Sequence, residues 1–360
     1  VHRPAQPAVT DTAPALPRGR GTAFNPPNRY DRLTLEPEPG APPERVETEL
    51  YVDASRTILS DSESPDLGFR RSVNPYRGCE HGCAYCYARP FHDHLGWGSG
   101  IDFETKLLVK PDAPRLLREA LMDPRYEPRP LALSGITDPY QPVERRLRLT
   151  RGCLEVLAEL RHPTGIITKS ALVERDADLL GDLARDRAAS VAITITTLDA
   201  ELQRRLEPRA ASPRARLDAM RRLTEAGVPV MVNVSPVIPG LTDHEIPAIL
   251  SAAREAGAQW ATWILLRLPH GLKEIFEAWL DAHYPLRKAR VLNALREMHG
   301  GKLYSPEFGQ RMRGSGPRAE QLHAVVELWR RKLRFAREHV ELSTEAFLAR
   351  RGVQGDLFGP

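Results

Sequence analysis

Cysteine is scarce in this chain, with four residues in 360. A disulfide framework of the kind that staples small secreted domains is therefore excluded, and the usage fits a reducing cytoplasm. Long apolar runs are absent too. None approaches the roughly 18 residues needed to cross a bilayer, so no membrane partner is expected. The first residues lack an apolar stretch of the secretory-signal type, and the expected location is cytoplasmic. Charge of one sign is not in excess: 51 Lys and Arg face 47 Asp and Glu, a net charge of +4. That balance names no polyanionic partner for the chain as a whole.

What is present is unevenly spread. Residues 1–45 hold ten prolines and few large apolar groups. Such a composition cannot offset the entropy of ordering, and a disordered tail is expected there. Within an expected barrel region of 46–270, residues 46–68 are polar and irregular apart from one strand, and from about Phe69 short β-branched runs alternate with amphipathic stretches. Strands are expected at Glu49–Val52, Ser72–Tyr76, Leu131–Gly135, Gly165–Thr168, Val191–Thr196, Val230–Val234 and Thr262–Leu266. Helices are expected at Ala113–Met122, Arg145–Leu160, Leu172–Leu183, Arg214–Glu225 and Glu245–Glu255. This alternation predicts an α/β fold with a parallel sheet. Polar residues gather after strand upon strand: Ser134, Thr137 and Asp138; Thr168, Lys169 and Ser170; Thr196 and Thr197; Asn233 and Ser235. An open doubly wound sheet uses only the crevice at its switch point, whereas a barrel builds its site from many strand ends. The expectation is a partial (β/α)6 barrel of the TIM type, followed by a helical extension over 271–340 and a flexible tail over 341–360.

Three of the four cysteines lie in one stretch, NPYRGCEHGCAYCYARP, as C-x3-C-x2-C: Cys79, Cys83 and Cys86. Clustered thiolates hold zinc or an iron–sulfur cluster. A structural zinc wants four protein ligands, and a fourth would have to be His81, His92, His94 or a distant group. Three cysteines on a cubane cluster instead leave one iron open for a small molecule. Zinc with an open site is the competing reading. Cys153 falls in an amphipathic pattern and reads as a small core hydrophobe.

The spacing, the aromatic Tyr85 just before the last cysteine, and the position after the first barrel strand resemble the radical S-adenosylmethionine (SAM) superfamily. The segments GITDPYQPVE, GIITKS, TTLDAELQRRLEPRAASPRARL and VNVSPVIPGLTD resemble its spore-photolyase-like branch. The resemblance covers about residues 69–270. It implies that Cys79, Cys83 and Cys86 hold a [4Fe–4S] cluster whose fourth iron is chelated by SAM. Reduction then cleaves SAM to a 5′-deoxyadenosyl radical that abstracts hydrogen from a substrate. It also implies an electron donor of the flavodoxin or ferredoxin type.

Ser134, Gly135, Thr137 and Asp138 fall where the family's second-strand SAM motif lies, although Thr-Asp-Pro is also good turn chemistry. Lys169 corresponds to a basic residue that pairs with the SAM carboxylate. Tyr85, Thr168, Thr196, Asn233 and Ser235 are assigned to the same site, for ribose or substrate. Glu207 and Arg209 are expected to bind SAM or each other. One position departs from the branch. Spore photolyases carry a hydrogen-donating cysteine just before the serine, and here Leu133 stands there, which argues against thymine-dimer repair of that kind.

Gln354–Phe358, QGDLF, resembles the pentapeptide with which bacterial proteins bind the replicative sliding clamp. Two apolar anchors on an extended segment suit a groove. Residues 311–337 carry eight Arg or Lys against two Glu. Together these point toward DNA as partner, and to DNA repair or nucleotide modification as function. The alternatives are a radical SAM enzyme acting on a peptide or small molecule, and a non-catalytic zinc or iron–sulfur module that binds nucleic acid.

Overall fold

Runs such as Ala189–Thr194, ASVAIT, bury nearly every side chain, which only a strand covered on both faces can do. The structure, a computed structural model, describes residues 16–30 and 46–357. Its strands are β1 (Glu49–Val52), β2 (Leu59–Asp61), β3 (Arg71–Val73), β4 (Tyr76–Arg77), β5 (Lys106–Val109), β6 (Leu131–Leu133), β7 (Thr164–Thr168), β8 (Ala189–Thr194), β9 (Val230–Val237) and β10 (Trp260–Leu265). Seven of them form one sheet in the order β10-β9-β8-β7-β6-β3-β2. The six from β3 to β10 pair in parallel and in chain order, with Ser72 opposite Ala132, Ile166 opposite Val191 and Ile193 opposite Val232. Only β2 runs antiparallel, on the edge. A sequential order has no reversal point, so all six strand ends face one mouth. This is the partial (β/α)6 barrel expected.

Several boundaries move for local reasons. The first barrel strand stops at Val73 instead of Tyr76. Pro75 has no N–H to give a ladder, and Tyr76–Arg77 crosses to a separate sheet of order β1-β5-β4. The helix expected over 145–160 is broken. Arg148 adopts φ 53°, and two helices result, Glu144–Leu147 and Leu149–Glu159. The one expected over 172–183 begins as a 3-10 helix, Ala171–Asp176, and becomes α-helical over Ala177–Arg185.

Residues 16–30, expected within the disordered tail, pack onto the barrel. Arg20, Gly21 and Thr22 are buried, and Arg20 donates to the Glu104 and Val46 carbonyls at 2.8 and 2.5 Å. Glycine is what permits this, since a Cβ on Gly21 would sit 1.8 Å from the Gly82 carbonyl oxygen. Residues 1–15 and 31–45 of that expected tail lie outside the described residues.

The extension is helical at Leu272–His283, Pro285–Met298 and Pro317–Lys332, and it shares the barrel's hydrophobic core through Phe276, Trp279, Leu295 and Val326. The flexible tail expected from 341 is instead a helix over Glu345–Leu357. Phe347 anchors it, buried edge-on against Tyr126 and His162. Gln354–Leu357 therefore end a helix and are not extended, and Phe358 lies outside the described residues. Among the described residues no helix is long and apolar enough to cross a membrane.

Candidate active site

The cysteine loop leaves β4 at the open mouth of the barrel and is tied down from several sides. Arg89, fully buried, donates to the Cys83 carbonyl at 2.9 Å and the Gly100 carbonyl at 2.8 Å, and pairs with buried Glu104 at 2.5 Å. Glu104 in turn accepts from the Gly21 N–H at 2.9 Å. On the other side Gln141 bridges the loop, donating to the Gly78 carbonyl at 3.1 Å and accepting from the Glu80 N–H at 2.8 Å. Gly78 and Gly82 have φ +81° and +66°, and a Cβ on either would fall 2.7 Å from the Leu107 or Glu104 side chain. The two glycines flanking the first thiols thus let the loop turn tightly and lie flush on its supports.

Cys79, Cys83 and Cys86 line a cavity of about 620 Å³ together with His81, Tyr85, Tyr87, Ser134, Gly135, Thr137, Asp138, Thr168, Lys169, Asn233 and Ser235. That volume is ordinary for a cofactor pocket. The expected site residues converge on it from four segments, the cysteine loop, the turn after β6, the end of β7 and β9, with one exception. Thr196 is not part of the wall. Its hydroxyl is spent behind Tyr85, bonded to the Ser235 carbonyl at 2.8 Å, to Glu207 at 2.8 Å and to the Tyr85 hydroxyl at 3.0 Å. Tyr85 also donates to Glu207, which is paired with the buried guanidinium of Arg216. Glu207 is thus a buried support for Tyr85, stands outside the cavity lining and does not pair with Arg209. Arg209 pairs with Glu80 at 3.1 Å. Burial opposes the Glu207 charge, but Arg216 and Lys169 overcome it and hold the carboxyl at about 2.

Asp138 is saturated by protein. Its carboxylate accepts from the Thr168 hydroxyl at 2.7 Å, the Lys169 N–H at 2.8 Å and the Tyr140 N–H at 2.9 Å. It fixes the turn after β7 and so aims Lys169. The turn reading of this motif thus describes Asp138, while Ser134, Gly135 and Thr137 line the cavity beside it. His81 Nδ1 lies 3.5 Å from Asp138 without forming a hydrogen bond. Burial holds the imidazole neutral, down at about 4. His92 bonds the Lys106 carbonyl and packs on Trp97 and Phe103, and His94 meets Arg29 and Tyr30. Neither lines the cavity, which removes both as a fourth ligand.

The residues fit a cluster with an organic ligand. Among the described residues no three His, Cys, Asp or Glu side chains are gathered closely enough to hold a single ion. Three thiols held apart suit the corners of a polynuclear cluster. The carbonyl oxygen of Asn233, buried in the cavity wall, has no partner in the protein. Such a group ordinarily has a ligand or water to bond. Gly135, at φ +127°, leaves its backbone open to the cavity. Burial pushes the Cys83 thiol up to about 12 although Lys169 draws it down, so loading metal must displace protons.

Three cavity residues were not anticipated in the sequence. Tyr87 donates to the Gly135 carbonyl at 2.5 Å. Arg267 lies over the Tyr87 ring at 5.2 Å, and Arg311 is held by Asp66 at 2.6 Å. A basic residue just past β10 was the available signal for Arg267. Cys153 is fully buried in a helix, where burial raises its thiol and keeps it inert. Leu133 is fully buried in the core and is not among the lining residues.

A partial barrel with three thiols at its strand-end mouth, next to a pocket with unpaired polar groups, defines a cluster-dependent β/α enzyme. The chain belongs to the radical SAM superfamily, whose model matches residues 73–253. Its members use a [4Fe–4S] cluster and SAM. An uncharacterised protein of Mycobacterium tuberculosis is 34% identical over 295 residues, 81% of this chain and 83% of the relative. The radical SAM Nalpha-GlyT isomerase of Pseudomonas phage M6 is 26% identical over 48% of this chain and 34% of its own. Spore photoproduct lyase, solved in complex with a dinucleoside spore photoproduct, shares the fold with a TM-score of 0.54 at 16% identity, covering 79% of each chain.

Proposed function

We propose that this protein is a radical SAM enzyme acting on nucleic acid, in DNA repair or base modification. The observation that carries the reading is the charge at the cavity mouth. Arg29, Arg267 and Arg311 line it with Lys169 inside; Arg29 and Arg311 are paired with Asp93 and Asp66, and the lining carboxylates Asp61 and Asp138 are engaged by Arg71 and by the β7 turn, so Arg267 and Lys169 are the cations that carry the reading. A polyanion suits such a mouth. A second cleft, of about 500 Å³, begins at Pro239, three residues along the chain from the cavity-lining Pro236, and gathers Arg287, Arg290 and Arg318 with Asp243. The dinucleoside bound by spore photoproduct lyase is in keeping with a substrate of this class.

Cys79, Cys83 and Cys86 would hold the cluster, and Lys169, Gly135 and Asn233 would surround SAM. When bound, the two supply a 5′-deoxyadenosyl radical that takes a hydrogen atom from the substrate. The protein's part is to orient and to exclude water. Ile264, Leu265, Pro236 and Met312 give the cavity an apolar wall for the second task. Leu133 supplies no thiol, so the reaction does not end by hydrogen return from that position.

The test is anaerobic reconstitution followed by incubation with SAM, reductant and either intact or ultraviolet-damaged DNA. Formation of 5′-deoxyadenosine that rises with one DNA, with a changed nucleoside in the digest, is expected. Formation indifferent to every DNA offered, with no changed nucleoside, would refute the nucleic-acid reading.

A further inference from the structure

The arginines of the cavity are not equivalent. Arg311 pairs with Asp66 at 2.6 Å and with the Ser64 hydroxyl, and Arg29 lies 3.7 Å from Asp93. Arg267, among the described residues, has no carboxylate in reach. Its neighbours include the Met312 sulfur at 3.8 Å and the face of Tyr87 at 5.2 Å. Its Nε–H is shut off from solvent without an acceptor. His299, close by, is lowered chiefly by burial and also by the charge of Arg267, and an imidazole carries no negative charge in either of its states. A half-buried guanidinium left on an aromatic ring and a thioether has lost hydration without gaining an anion. Natural proteins seldom keep such an arrangement unless a ligand completes it.

Its place in the fold says which ligand. Arg267 leaves β10 and stacks on Tyr87, the residue directly after Cys86. Lys169 leaves β7 and lies 5.5 Å over the ring of Tyr85, just before Cys86. Two cations therefore sit on two neighbouring tyrosines on either side of one cysteine. Lys169, a point charge, suits the carboxylate of SAM. The planar fork of Arg267 remains for an oxyanion of the substrate.

We infer that Arg267 is the substrate anchor of this cavity and binds a phosphate of the substrate backbone, which fixes the nucleotide beside the cluster. The inference rests on the nucleic-acid reading for the choice of phosphate.

The test is a binding measurement on the reconstituted protein with SAM present. The probes are thymidylyl-(3′→5′)-thymidine and the same dinucleoside with a neutral methylphosphonate linkage. The wild-type protein should prefer the charged linkage about tenfold or more, the size of a charge-assisted hydrogen bond. Arg267→Met should abolish the preference, and Arg267→Lys should restore part of it. Comparable iron content in the variants controls for folding. An undiminished preference in Arg267→Met overturns the anchor. So does a loss of SAM affinity with the preference intact, which would assign Arg267 to SAM. If neither dinucleoside binds but inorganic phosphate does, and Arg267→Met abolishes that, the anchor stands and the nucleic-acid reading falls.

Discussion

Replacing Arg89 by Met should disable the cysteine loop without touching a thiol. Arg89 and Glu104 are both fully buried, and Arg89 also donates to the Cys83 and Gly100 carbonyls. Removing the cation leaves the Glu104 carboxylate buried with the Gly21 N–H as its remaining side-chain contact. An uncompensated buried charge costs about 3–5 kcal/mol, and each orphaned carbonyl adds about 1 kcal/mol. A loss of roughly 4 kcal/mol or more is expected, against a total stability on the order of 5–15 kcal/mol. Urea unfolding of the cluster-free protein measures the loss, and iron per chain after reconstitution measures what it does to the loop. Two comparisons isolate the cause. Arg118→Met, which breaks an exposed pair with Glu159, should cost less than about 1 kcal/mol. Adding Glu104→Leu to Arg89→Met should recover much of the loss. An Arg89→Met protein that unfolds within about 1 kcal/mol of wild type and takes up full iron would refute the argument.

Other outcomes follow from the same geometry. Glu207 is held at about 2 against an ordinary 4.5, which corresponds to about 3 kcal/mol of stability. A depressed carboxyl stabilises above its unfolded value and loses that contribution as pH falls, so acid should erode stability between 4.5 and about 2. Glu207→Gln should flatten that part of a stability-against-pH curve, and an unchanged slope would count against the network. Cys83→Ala should lose iron and all SAM cleavage, whereas Cys153→Ala should keep both and cost about 1 kcal/mol of packing; equal iron content in the two variants would contradict the ligand assignment. We propose that Gln354–Phe358 tethers the protein to a sliding clamp. Because Gln354–Leu357 close a helix anchored by Phe347, the tether requires the last turn to unwind. Surface-plasmon binding to the clamp should vanish when the five residues are deleted; binding that survives deletion, or is absent in the intact chain, ends the idea.

The thiol set, the β/α alternation and the polar strand ends could be read without coordinates because each is a local pattern. C-x3-C-x2-C is a spacing, a buried parallel strand is an apolar run, and a strand-end serine or asparagine stands out against both. The 17 residues from Asn74 to Pro90 therefore named the cofactor chemistry. What the pattern could not give was the partner of each charge. Glu207 is two residues from Arg209, yet it pairs with Arg216, which a turn of helix after Ser212 brings inward. Thr196 lies at a strand end but faces backward into that pair, so it supports Tyr85 instead of lining the cavity. Residues 16–30 read as disordered by composition, yet they are held by a carboxylate more than 80 positions away. Composition carries no information about such long-range bonds.

The sequence determined by itself that three thiolates would share one loop at the mouth of a parallel barrel, because spacing and periodicity are properties of neighbouring residues. Only the tertiary structure decided which charges are spent and which are free. Asp138, Glu207 and Arg311 are satisfied within the protein, whereas Asn233 and Arg267, both residues of the cavity wall, keep buried atoms without a partner. That difference depends on which distant chain segments meet, and burial makes it matter: an unpaired polar group costs little in water and much inside the protein.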